Sequence, residues 1–378
     1  MAPLQAEFGW SRAQTSIGIT IASIVSALFC VPIGMAIDRI GPRRVALFGV
    51  LSMSAGFALL STTTGTMTNW LVLWTIIALG GLGVQAPIWT SAVASRFEAS
   101  RGLAFAITLC GASISATIFP VLATWLIGVY GWRTAFVAMG GFWAALVFPI
   151  LLLGFRGAQD RNTKQPATVA PAKVLKGITL AEGLRSPVLY KLLMAGGLFS
   201  FTVIGAMVHF VPILKDAGAA PLAAAGIASL IGIFSIIGRL GTGVLLDKFP
   251  GHKVGAVAFL LPIIAATLLL LSGSNPISQA IAAAALGLTV GSEVDVIAFL
   301  AAKHFGLKNF GALYGALVMA LTLGTAFGPL TAGAVFDHYG SYAPFLMLAM
   351  GLMAASALAL FSLGHAPSAD EVTVHAHG

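Results

Sequence analysis

The stretch GMAIDRIGPRR, Gly34 to Arg44, returns in outline as GVLLDKFPGHK, Gly243 to Lys253. Both place a glycine four residues before an acid, follow the acid with a base, and close on Arg-Arg or its His-Lys counterpart. The first copy packs four charges into a chain in which only 8% of residues are charged. A burst of charge that recurs in so apolar a sequence has to be explained by where the chain runs.

Composition supplies the setting. Of 378 residues, 58% are hydrophobic and 44 are glycine, and the mean hydropathy is +0.97, too apolar for an ordinary soluble domain. A bilayer core about 30 Å thick takes about 20 apolar residues of helix. Eleven such runs occur, at 14–37, 45–62, 70–94, 103–129, 133–155, 189–214, 221–246, 254–273, 277–300, 311–334 and 342–364. Lipid offers the backbone no partners, so an all-α polytopic membrane protein is expected. The opening MAPLQAEFGWSR has neither the basic start nor the apolar stretch of a secretory signal. Cys30 and Cys110 fall inside spans and read as small packing residues, so no disulfide is expected.

The pI near 9.8 could point to nucleic acid, but the placement of the cations speaks for topology instead. If the spans alternate, sixteen of the twenty Lys and Arg fall on one face, among them Arg39, Arg43, Arg44, Lys248, Lys253 and Lys303. That asymmetry marks the cytoplasmic face of a multi-pass protein of the cell membrane, the inner membrane if the source is bacterial. Residues 156–188 are the only long polar segment and read as a cytoplasmic linker. It separates membrane halves at 1–155 and 189–364, with a cytoplasmic tail at 365–378. Within the linker, ITLAEGLRS reads as a short interfacial helix.

Sliding the chain by 209 positions aligns Pro3 with Pro212, Gly9 with Gly218, Ser26 with Ser235, Asp38 with Asp247, Pro120 with Pro329 and Tyr130 with Tyr339. Only the 70–98 region wants 208, which pairs Gln85 with Glu293. Two halves built on one plan are expected. MAPLQAEFG falls opposite FVPILKDAG, the end of the sixth span and its outer loop. On this alignment the first half lacks its first span, and a twelve-span design whose chain begins one helix late is expected.

With these residues in hand a resemblance can be stated. Gly34, Asp38, Arg39, Gly41, Arg43 and Arg44 resemble the signature between helices 2 and 3 of the major facilitator superfamily of secondary transporters, with Pro42 a departure from its commonest spacing. Gly243, Asp247, Lys248, His252 and Lys253 resemble its weaker second copy, between helices 8 and 9. FGWSRAQTS and IFSIIGRLGTGVLLDK are most similar to the monocarboxylate and oxalate/formate branch. The resemblance implies two six-helix repeats working by alternating access, as a monomer, with no enzymatic activity and no cofactor. It further implies that Arg239 in helix 8 binds a substrate carboxylate. Ser235, one turn earlier, stands where monocarboxylate carriers often have Asp or Asn, and helix 11 lacks the lysine of the oxalate type.

Charge inside a membrane costs about 2.5 to 3.5 kcal/mol per residue on insertion scales, so each such residue carries a hypothesis. Arg239 lies eight residues before Asp247, or ~12 Å inside the cytoplasmic end of its helix. Its planar fork of donors suits a carboxylate; the competing reading is a structural ion pair. Glu293 and Asp295 precede Lys303 by ten and eight residues, also near midplane. Two residues on a helix are about 200° of rotation, so the two acids cannot face the same way. Either is a candidate proton carrier, and a structural role for both is the alternative. His209 is read either as a satisfied buried histidine or as a binding or gating residue. Gln85 is a candidate for the substrate cavity, and Trp89 reads as packing. In the loops, Asp38, Arg39, Arg43, Arg44, Asp247 and Lys248 suit a cytoplasmic latch that breaks as the halves rock, while topology anchoring alone also accounts for Arg43 and Arg44.

The leading expectation is proton-coupled symport of small organic anions, above all monocarboxylates. The partners would be a small anionic substrate, protons and membrane lipid, with no nucleic acid. Proton-independent exchange of the oxalate/formate kind is an alternative, and so is drug/proton antiport. Against antiport, helix 5 reads GASISATIFPVLAT without the Gly-Pro motif such exporters carry, and the matching run GTAFGPLTAG is in helix 11. No G-x-S-x-G, Walker loop or paired histidines within a span suggest an enzyme. His375 and His377 are too close to the C-terminus for a metal site to be proposed.

Overall fold

The computed structural model describes residues 2–85, 88–89, 92, 101–155, 177–272, 274–306 and 310–364. Two compact units emerge, Met1–Pro166 and Ala167–Gly378. The first holds α1 (Ala2–Phe8), α2 (Arg12–Ile40), α3 (Pro42–Leu59), α4 (Met67–Gly81) and the long run α5 (Arg101–Gly154). The second holds α6 (Leu180–Arg185), α7 (Pro187–Phe199), α8 (Gly205–Val208), α9 (Phe210–Asp216), α10 (Pro221–Lys248), α11 (Gly251–Ser272), α12 (Pro276–Phe305), α13 (Phe310–Tyr339) and α14 (Ala343–Phe361). Among the described residues, ten helical stretches are long and apolar enough to cross a membrane. One of them, within α5, is broken at Gly131, where φ is 78°, so the expected spans 103–129 and 133–155 are both present in it.

The start signals are chemical. Pro42, Pro221 and Pro276 open their helices, where a missing N–H costs nothing. Thr66 and Asn275 accept hydrogen bonds from the N–H groups of Asn69 and Ile277. The anticipated interfacial helix is α6, closed by a reciprocal capping box between Thr179 and Glu182. It occupies part of the expected linker; α7 starts at Pro187, and residues 156–176 and 365–378 lie outside the described residues.

The 209-residue repeat is visible in the backbone. Arg12, Pro42, Met67 and Arg101 open α2, α3, α4 and α5, and Pro221, Gly251, Pro276 and Phe310, each 209 positions on, open α10, α11, α12 and α13. The break at Gly131 recurs at Gly340, where φ is 66°, a left-handed conformation that only glycine adopts at low cost.

Two expected spans are built differently from the sequence reading. The span at 70–94 is helical as α4 only to Gly81, then tightens into a 3₁₀ turn at Leu82–Val84. The span at 189–214 is interrupted twice, by a π-helical turn at Ser200–Ile204 and at His209, whose backbone (φ −93°, ψ 5°) separates α8 from α9. Apolar periodicity does not register such breaks, because the stretches around them stay predominantly apolar.

In unit 2, α12 is the central helix, with 61% of its span buried inside the protein. It packs along α10 and α11; α7 lies against α13 and α14. Polar side chains on α12 therefore meet protein rather than lipid, which is why acids can be carried there.

Candidate transport site

The site grows from the seam between α10 and α12. Gly291 of α12 sits against the backbone of α10: a Cβ there would collide with the carbonyl oxygen of Ser235 and stand 2.7 Å from the Arg239 nitrogen. One helical turn beyond, Arg239 Nη1 donates to Asp295 Oδ1 at 3.1 Å. The side chains are 13% and 30% exposed, and Arg239 Nε is buried without a hydrogen-bond partner. The pair thus retains donor capacity beyond the bond to Asp295. Beside it, Thr242 and Ser292 hydroxyls are 2.6 Å apart, and Ser292 also donates to the Leu288 carbonyl at 2.7 Å.

Glu293 points another way, as the 200° separation requires. It is 7% exposed, and its Oε1 accepts a hydrogen bond of 2.7 Å from Ser200 Oγ. Ser200 opens the π-turn of the chain between α7 and α8; such turns are frequent at functional sites. Arg239 interacts electrostatically with both acids, and Tyr314 of α13 lies within electrostatic reach of both. Sequence reasoning missed Ser200 and Tyr314. Nothing in the sequence marks the π-turn, and Tyr314 is an isolated aromatic in an apolar run.

The other expected site residues are placed as follows. Ser235 is buried, its hydroxyl bonded back to the Gly232 carbonyl at 2.8 Å, so it is spent within α10. His209 is fully buried: Nδ1 is 2.7 Å from the Tyr342 hydroxyl and Nε2 is 2.9 Å from the Pro329 carbonyl. A carbonyl only accepts, so Nε2 carries the proton and Nδ1 accepts from Tyr342. Both ring nitrogens are committed to structure, in keeping with the satisfied-histidine reading. In unit 1, Gln85 Nε2 donates to Ser26 Oγ at 2.7 Å. Ser26 and Gln85 mirror Ser235 and Glu293 across the repeat, but in unit 2 the acid turns to Ser200 instead. Trp89 donates to the Val84 carbonyl at 2.9 Å and packs on Phe155, as a packing residue should.

Of the loop charges, Arg43 donates Nη2 to the Leu152 carbonyl near the end of α5, pinning the start of α3 to the last turn of a neighbouring helix. A cation is favoured at that helix end. Arg44, Asp247 and Lys248 are exposed. The side chains of Asp38 and Arg39 lie outside the described residues.

Comparison with known proteins now decides the family. A family model described as Major Facilitator Superfamily matches residues 1–329. This chain belongs to that superfamily. It is accordingly a multi-pass membrane transporter and not an enzyme. Its relatives include monocarboxylate transporter 13 of Rattus norvegicus, 27% identical over 358 residues, which cover 93% of this chain and 79% of that protein. They also include a gallate transporter of Pseudomonas putida, 27% identical over 396 residues, with 96% of this chain and 86% of that protein covered. In fold the transporter is similar to a bacterial homologue of the human lysosomal transporter Spinster, in an inward-facing and unoccupied conformation. The TM-score is 0.71 at 17% identity, covering 99% of this chain and 92% of that one.

Proposed function

We propose that this transporter carries small organic monocarboxylates together with protons. The observation that carries the reading is the Arg239–Asp295 pair: an arginine within a membrane helix, held by one carboxylate at 3.1 Å. A substrate carboxylate can bind Arg239 by displacing Asp295, and protonation of Asp295 removes the competitor. The charge balance is then the same in both states. Arg⁺ faces Asp⁻ when empty, and faces the substrate carboxylate with a neutral aspartic acid beside it when loaded. A carboxylate and a proton would move together without net charge. Glu293, buried against Ser200 Oγ, would relay the same proton that Asp295 loads.

The relatives support the chemistry. Monocarboxylates and gallate share a carboxylate, and gallate adds an aromatic ring. Substrates of this protein would include aromatic acids. Asp247, Lys248 and the charges from Asp38 to Arg44 would act in gating at the cytoplasmic face, with Arg43 also an anchor. Uptake of radiolabelled benzoate, gallate and lactate into proteoliposomes tests the assignment: Arg239→Ala is expected to abolish saturable uptake. Undiminished uptake in that variant would remove Arg239 from the site.

A further inference from the structure

Two concavities adjoin at the end of unit 2 that the cation asymmetry assigns to the cytoplasm; Arg239, Glu293 and Asp295 line neither, and only Thr242 and Ser292, beside the pair, also border the larger one. They share Phe249 and Pro250, in the turn between α10 and α11. The larger, about 530 Å³, is a groove between α10 and α11, walled by residues such as Ile237, Gly241, Leu245, Val257 and Leu261, with Lys253 on its lining. The only neutral polar side chains among its described lining residues, Thr242 and Ser292, are satisfied by each other and by the Leu288 carbonyl. The groove therefore asks for hydrocarbon. Ile237, Leu245, Phe249 and Val257 are 44 to 64% exposed, as residues facing lipid are.

The smaller cavity, about 230 Å³, has the opposite character. It is lined by Lys303 and His304 of α12 and by His252 in the first turn of α11, with no acid among its described lining residues. His304 is 8% exposed, and its Nε2 is buried without a hydrogen-bond partner. α11 is 22 residues long, and the positive end of its dipole adds to the same field.

We propose that the two concavities form one site for an anionic phospholipid, with an acyl chain in the groove and the phosphate in the cationic cavity, drawn by Lys253, Lys303 and the α11 N-terminus. The juxtaposition of an apolar slot and an acid-free cationic pocket, joined at Phe249 and Pro250, matches an amphiphilic anion and not a small solute. Anionic lipids of the cytoplasmic leaflet attract Lys and Arg at this depth.

The test uses the full chain in nanodiscs of phosphatidylcholine, with and without phosphatidylglycerol of the same acyl chains, followed by thermal unfolding and by native mass spectrometry of retained lipid. Phosphatidylglycerol is expected to raise the unfolding temperature by several degrees and to be retained. Both effects should be lost in the Lys253→Gln/Lys303→Gln variant. They should also be lost in Gly241→Leu, which fills the groove at a position where an added Cβ meets nothing within 4 Å. If a variant is destabilised in phosphatidylcholine alone, the retained-lipid measurement decides. An equal effect of phosphatidylcholine, or retention unchanged in both variants, overturns the proposal. So does a full effect from inorganic phosphate added to phosphatidylcholine nanodiscs, which would make the cavity a site for a soluble anion.

Discussion

Gly291 is the tightest link between fold and site, and replacing it with alanine makes a sharp prediction. The added Cβ would stand 2.7 Å from the Arg239 nitrogen and closer still to the Ser235 carbonyl oxygen, both backbone atoms that cannot turn aside. Clearing the Arg239 nitrogen to an ordinary 3.4 Å takes about 0.7 Å of local parting of α10 and α12, and clearing the nearer Ser235 carbonyl oxygen takes more. One turn away, the Arg239–Asp295 bond of 3.1 Å would then stretch beyond about 3.8 Å, past the range of a good hydrogen bond. Overpacking of this kind costs typically ~1–3 kcal/mol. We expect Gly291→Ala to lower the unfolding temperature by several degrees in a fluorescence-monitored melt and to weaken carboxylate binding in the same preparation. The control is Gly226→Ala, in the facing helix α10, where an added Cβ meets nothing within 4 Å. Alanine is favoured over glycine in a helix by about 0.8–1.0 kcal/mol, so this variant should melt no lower than wild type. If the two variants melt and bind alike, the close approach of α10 and α12 at the site is wrong.

Three further predictions probe separate elements. Glu7 of α1 is bonded to Trp132 Nε1 at 2.6 Å and to Arg133 at 2.6 Å. The Trp132 bond first and the arginine second hold its carboxyl below the ordinary 4.5. Because the folded value is the lower one, this tie is fully present above about pH 4.5 and lost as pH falls through the folded value. Tryptophan fluorescence should report an acid transition that Glu7→Gln removes. His209→Phe deletes the partners of Tyr342 and Pro329 and is expected to cost ~2–4 kcal/mol from two buried hydrogen bonds, read as a lower melt with unchanged substrate affinity in the folded fraction. Asp295→Asn removes the carboxylate that competes for Arg239. At 3.1 Å the charges attract by ~5 kcal/mol at an effective dielectric of about 20, of which solvent at a partly exposed pair leaves roughly half. Substrate should therefore bind this variant at neutral pH roughly 30- to 100-fold more tightly, and its affinity should not vary with pH.

Much of the fold was legible because bilayer physics writes it in long apolar runs and because the chain repeats itself. The paired charge clusters at Asp38 and Asp247, and Tyr130 and Tyr339 beside the breaks at Gly131 and Gly340, carried the register into the backbone. What stayed hidden was the local departure from α-helix. The π-turn at Ser200 and the break at His209 lie in a stretch that is predominantly apolar, with only isolated polar residues at the breaks, so periodicity does not register them. The site was legible in part for the same reason. Charge on a membrane helix is costly enough to single out Arg239, Glu293 and Asp295, and helical rotation alone foretold that the two acids diverge. Which acid pairs with the arginine depends on the closeness of α10 and α12 at Gly291, a property of packing that one chain's sequence does not display. Ser235, expected near the substrate, turned back on its own helix because a short hydroxyl in a helix readily bonds a carbonyl three or four residues earlier.

The central claim is that a carboxylate on Arg239 and a proton on Asp295 move together. Its most direct test counts both at once, following labelled carboxylate and internal acidification by a pH-sensitive dye in proteoliposomes at zero membrane potential. One proton is expected to enter with each carboxylate, and in Asp295→Asn carboxylate exchange should persist while acidification disappears. Carboxylate entry without acidification in the wild-type protein, or acidification undiminished in Asp295→Asn, would contradict it.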